Sequence, residues 1–174
     1  MRRHCPRRMR RPAAVLLLAA GAAGASGCGP PAREAVTGAV VTGVVVERLP
    51  LETAWDGSVS PNPPDIYVDV ADGALPGPLG YRSVLARTHV AENVTAGALP
   101  LRLPMSSSTP LTVRAPLRIV VADHDSGGFD DDDDLFVAEI ASLASRVGDA
   151  AAGDTTALRF GDGETRLRVS VRWQ

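Results

Sequence analysis

Apolar residues in this chain gather in short, β-branched runs separated by turn formers. Val40-Val41 and Val44-Val45-Val46 predict a first strand, and Ile66-Tyr67-Val68-Asp69-Val70 a second. Leu117-Arg118-Ile119-Val120-Val121-Ala122 reads as a nearly continuous buried strand. The clearest alternation comes last. Leu167, Val169, Val171 and Trp173 fall on one face, and Arg166, Arg168, Ser170 and Arg172 on the other, so this strand has one wet side. Leu99, Leu101, Leu103 and Met105 also alternate, but Pro100 and Pro104 lie between them and restrict the segment to an edge. Phe160-Gly161-Asp162-Gly163-Glu164 is a hairpin signal. Glycine and proline make long loops of the stretches 49–64 and 71–80. Only 138–152 has room for a helix, and Gly148 would end it early. There is no internal repeat. Several short strands with frequent turns predict an all-β fold, an antiparallel sandwich.

The first residues do not fit this pattern. MRRHCPRRMRRP carries six arginines and is followed by the thirteen-residue run AAVLLLAAGAAGA. That run is too short for a stable membrane-spanning helix and suits the apolar region of a secretory signal. Its last residue opens Ala25-Ser26-Gly27-Cys28, which resembles the lipobox of bacterial lipoproteins, although that family usually has leucine where Ala25 stands. The resemblance implies cleavage before Cys28 and a diacylglycerol on its thiol. The expected organisation is a signal peptide over 1–27, the lipidated cysteine and a flexible tether over 28–37, and a sandwich domain over 38–174. The implied location is the bacterial cell membrane or outer membrane, facing the periplasm or exterior.

Removing the leader changes the charge. The chain has 20 acidic and 18 basic residues; six of the basic ones and none of the acidic ones precede Cys28, leaving 12 − 20 = −8. That balance argues against nucleic acid, and against anionic lipid held by bulk charge. Cys5 and Cys28 are the only cysteines, so the domain has no disulfide framework, no cysteine-ligated metal and no cysteine nucleophile. No Gly-x-Ser-x-Gly elbow is present, and no histidine stands in a nucleophile context. The expectation is a non-enzymatic domain with no small-molecule substrate.

The candidate chemistry lies in two loops. TAWDGSVSPNPPDIYVDV holds Asp56 and, nine positions on, Asp65 at the mouth of a strand. IVVADHDSGGFDDDDDLFVAEI holds Asp123 and Asp125 at the end of one strand and Asp131 to Asp134 at the start of the next. Carboxylates are hard oxygen ligands, and a site built from many of them suits calcium. No histidine–cysteine set favours zinc. A like-charge block can also be simply a solvated loop tip. DHDSGG partly imitates an EF-hand loop, but strands flank it, Gly127 stands at position five, and Asp130 stands where that loop is apolar.

These segments resemble the C2 domain. In that family the first loop runs from an aspartate to Asp-Pro-Tyr-Val, and the third from Trp-Asp-x-Asp to Asp-x-Ile-Gly. Here Asp56 precedes Pro64-Asp65-Ile66-Tyr67-Val68, Ala122-Asp123-His124-Asp125 precedes Asp134-Leu135-Phe136-Val137, and Leu167 to Trp173 looks like the family's last strand. Ile66 replaces the proline, Val137 the glycine, and Glu92-Asn93 only weakly matches a Trp-Asn pair expected in the middle segment. The resemblance implies an eight-stranded C2-like β-sandwich that binds calcium through Asp56, Asp65, Asp123, Asp125, Asp131 and Asp134. Counting forward from Asp123 makes Asp131 the third ligand of the later loop. Counting back from the next strand makes it Asp134, preferred because an insertion leaves strand edges in place. The implied partners are a membrane, through the anchor and through lipid headgroups, or an unknown protein. The alternative is a metal-independent interaction scaffold of the cell envelope.

Overall fold

The structure is a computed structural model, and residues 35–51, 63–74, 83–124 and 134–174 are described. Their strands form two antiparallel sheets. The first contains β4 (Leu101–Leu103), β1 (Gly38–Arg48), β10 (Arg166–Trp173) and β9 (Thr155–Gly161) in that order, with β6 (Leu111–Thr112) also pairing with β1. The second runs β5 (Met105–Ser108), β3 (Val84–Thr88), β2 (Ile66–Asp72), β7 (Leu117–Asp123), β8 (Asp134–Ile140). Among the described residues there are thus ten strands where the resemblance implies eight. The surplus is short, because the segment 101–112 breaks into three pieces.

The core lies between the sheets. On β10, Leu167, Val169, Val171 and Trp173 are all buried, as the alternation predicts, and Trp173 Nε1 donates to Thr156 Oγ1 at 2.8 Å. Opposite them stand Ile66, Val68 and Val70 of β2 and Leu117, Ile119 and Val121 of β7. Among the described residues every member of this core lies between Val36 and Trp173, and Arg33–Gln174 is one compact unit with a core of its own, the property expected of a domain able to fold by itself.

Two sequence expectations need correction. Residues 138–140 belong to β8 and not to a helix, because they pair with Leu117, Arg118 and Ile119 of β7. The helix that does form, α1, is a single turn over Ala144–Val147. Gly148 ends it at φ 55°, a left-handed conformation that glycine adopts without cost. The Leu99–Met105 alternation is not one edge strand but two. Pro104 stands where the chain leaves β4, at the edge of the first sheet, and enters β5, at the edge of the second. A residue without an N–H is suited to that crossing.

Candidate functional site

Asp65 and Asp123 come together because β2 and β7 are neighbours in unbroken register. Ile66 pairs with Asp123, which puts Asp65 one residue beyond the ladder, beside the end of β7. Asp65 N donates to Asp123 Oδ1 at 2.7 Å, and His124 N donates to Asp65 O at 2.8 Å. Asp123 is 3% exposed, so a buried carboxylate closes this end of the strand pair.

The segment after β3 completes the arrangement. Ile66 and Ala91 exchange two backbone hydrogen bonds of 2.8 Å, and Val94 N donates to Pro64 O at 2.8 Å. Between these anchors Asn93 turns to φ 54°, which asparagine tolerates, and its N–H donates to Asp65 Oδ1 at 2.6 Å. The Glu92-Asn93 step, a weak match in sequence, therefore packs against the same carboxylate. Asp134 opens β8 opposite Ala122, across a register shift that follows Val121. Three elements thus bring Asp65, Asp123 and Asp134 to one end of the second sheet.

Among the described residues, no three histidine, cysteine, aspartate or glutamate side chains stand close enough to hold a metal ion. The other expected ligands, Asp56, Asp125 and Asp131, and the expected lipidation site, Cys28, lie outside the described residues. The donor set fits a hard cation in kind only: the three placed aspartates are oxygen donors at neighbouring strand ends, and by themselves they do not gather into a ligand shell.

Next to this end lies a polar cluster that the sequence pattern does not reveal. Asp69 of β2 is fully buried and accepts two hydrogen bonds from Arg87 of β3, from Nε at 2.7 Å and from Nη2 at 2.6 Å. Arg87 Cζ lies 4.8 Å from the centroid of the Tyr67 ring, and Tyr67 meets His124 edge-on at 6.1 Å. Asp69 reads in sequence as the polar member of a strand, and nothing local names Arg87 as its partner. Only the Asp69–Arg87 register supplies that information.

These sheets match solved structures. A single C2 domain of plant extended synaptotagmin 1 aligns over 82% of this chain and 97% of its own, at 14% identity and a TM-score of 0.50. The fold is C2-like. The two tandem C2 domains of extended synaptotagmin 2 align over 96% of this chain and 49% of theirs, at 14% identity and a TM-score of 0.50. Human group IVD cytosolic phospholipase A2 in complex with methyl gamma-linolenyl fluorophosphonate aligns at 19% identity and a TM-score of 0.47; the match covers 80% of this chain and 17% of that one. No protein-family model and no curated protein matches the sequence. A C2-like domain is thus reached through its strand arrangement, with little identity to carry it.

Proposed function

We propose that this protein is an exported, lipid-anchored C2-like module that binds calcium at the end of the sandwich where β2, β7 and β8 meet, and that calcium there promotes contact with lipid headgroups or a protein partner. The single observation that carries the reading is the joining of Asp65 to Asp123. The backbone N–H of Asp65 donates to the carboxylate of Asp123, 58 positions away, so the two aspartates are held at adjacent strand ends, and Asp134 enters from a third strand. Crowded carboxylates repel one another, and a divalent cation turns that repulsion into shared coordination. In this reading Asp56, Asp125 and Asp131 supply the remaining oxygens, and Cys28 carries the anchor.

The test is thermal melting of residues 33–174 with calcium, magnesium or EDTA. Calcium should raise the melting temperature more than magnesium, since magnesium demands stricter octahedral geometry. Binding only the folded form stabilises it by about 2.7 kcal/mol at a hundredfold excess over the dissociation constant. Asp125→Asn should remove most of that rise and leave the metal-free domain at least as stable, whereas Asp130→Asn should change little. A melt indifferent to calcium would leave the metal-independent scaffold as the better reading.

A further inference from the structure

The outer face of the first sheet carries a charge pattern opposite to that of the whole domain. Register fixes it. Val45 of β1 pairs with Arg102 of β4 on one side and with Arg168 of β10 on the other, and Arg168 pairs with Arg159 of β9. Paired residues share a face, so three arginines stand in one row across four strands, with Val45 between them. Arg48 and Arg166 pair with each other in a neighbouring row, and Arg172 lies opposite Thr155 near the far end. Six of the twelve arginines after residue 28 therefore share this face. Five are exposed, and Arg168 is half-buried. With strands about 4.8 Å apart and a rise of about 3.4 Å per residue, the array covers roughly 14 by 20 Å.

Little on the sheet neutralises it. Glu47, at the β1 bulge, lies 3.6 Å from Arg168 Nε and is the one carboxylate on these strands' outer face among the described residues. Two acids sit at the ends of β9, and both are engaged with backbone N–H groups. Asp154 Oδ2 accepts from Ala151, and Asp162 Oδ1 accepts from Glu164 and Thr165. Arg102, Arg159 and Arg172 have no carboxylate partner among the described residues.

We propose that this arginine face docks flat on an anionic phospholipid bilayer, without calcium. The partner follows from what the face offers and lacks. Guanidinium groups bind phosphate oxygens in a planar, bidentate fork. Among the described residues a protein partner would meet no aromatic or large apolar anchor on this face, because Phe160 and Trp173 point into the core and the exposed large hydrophobics, Val90 and Val137, lie elsewhere. Among the described residues of this face, single-stranded nucleic acid would find no ring to stack on, and a duplex no helix to enter its groove. A plane of phosphates needs neither. Over the roughly 8–10 Å of a Debye length the local arginine array outweighs the domain's net negative charge. The surface is separate from the carboxylate end, so the inference does not rest on calcium binding.

The experiment is co-sedimentation of residues 33–174 with phosphatidylcholine vesicles, with and without phosphatidylglycerol, in EDTA. Binding should appear at low salt only when phosphatidylglycerol is present, and roughly 1 M salt should abolish it. Replacing Arg102, Arg159 and Arg172 together by glutamate should weaken it by tenfold or more, about the loss expected for several basic groups at an anionic surface. The same three positions as glutamine should weaken it less but measurably, which keeps the test open if the glutamate variant misfolds. Absence of phosphatidylglycerol-dependent binding in EDTA overturns the proposal. So does full binding by a folded triple variant, or equal affinity for a random-sequence DNA duplex. None of these outcomes bears on the calcium melt.

Discussion

Asp69 and Arg87 show what one buried charge demands of its neighbours. The carboxylate is sealed from water, while the arginine that satisfies it remains partly exposed, stacked on Tyr67. Removing the exposed partner is therefore the damaging change, because it leaves an uncompensated charge inside. Arg87→Ala should cost about 3 kcal/mol in denaturant unfolding, and the double change Asp69→Leu, Arg87→Leu should recover much of it. Gly161 is a second such residue. It adopts φ +147°, and a β-carbon there would collide with the Thr165 carbonyl oxygen. Gly161→Ala should destabilise the domain by roughly 1–3 kcal/mol, while Gly163→Ala, two residues on in the same turn and with open space around it, should not. Between them sits Asp162, whose pKa is lowered because its carboxylate accepts hydrogen bonds from the N–H groups of Thr165 and Glu164. A lowered folded-state pKa favours the fold above the ordinary value of 3.8, and that contribution disappears as pH falls through the depressed value. Acid titration of Asp162→Ala against the parent should show a stability difference at neutral pH that closes below that range.

At the scale of elements, β10 is the central test. It lies between β1 and β9, with one side in the core and the other carrying arginines. Val169→Asp should unfold the domain, because an unpaired buried carboxylate costs several kcal/mol against a total stability of about 5–15. Arg172→Asp, on the exposed side, should shift the melting temperature little. Circular dichroism at increasing temperature separates the two outcomes, and equal damage from both would mean that the two faces are misassigned. β10, β2 and β7 are evident in sequence because each is long enough for its side-chain period to register. β8 is evident only at its start, where Asp134 leads in. Its later residues, Ala138 to Ile140, read as room for a helix, because an edge strand behind a register shift is only partly buried on either side and shows no strict alternation. The 101–112 segment fails for a related reason. Strands of two to four residues carry too few positions for a period, and their sheet membership is decided by which neighbour they reach.

For the whole molecule, charge distribution matters more than net charge. The count of −8 after the leader speaks against broad electrostatic attraction to anionic surfaces, yet half of the arginines behind that number face one way. The anchor reading belongs at this scale as well. Cys28→Ser should move the full chain from the membrane fraction to a soluble or unprocessed pool, and unchanged membrane association with normal processing would count against lipidation. Sequence by itself determined the all-β class, the inward and outward faces of the long strands, the hairpin between β9 and β10, and the acidic character of two loops. These follow from periodicity and composition, which act within a few residues of chain. Tertiary structure alone decided that Asp65 and Asp123 touch, that Arg87 neutralises Asp69, that Pro104 divides two sheets, and that arginines at 48, 102, 159, 166, 168 and 172 make one surface. Each of those depends on which strands are neighbours and in what register. Backbone hydrogen bonds between distant segments set that, and local pattern carries no record of it.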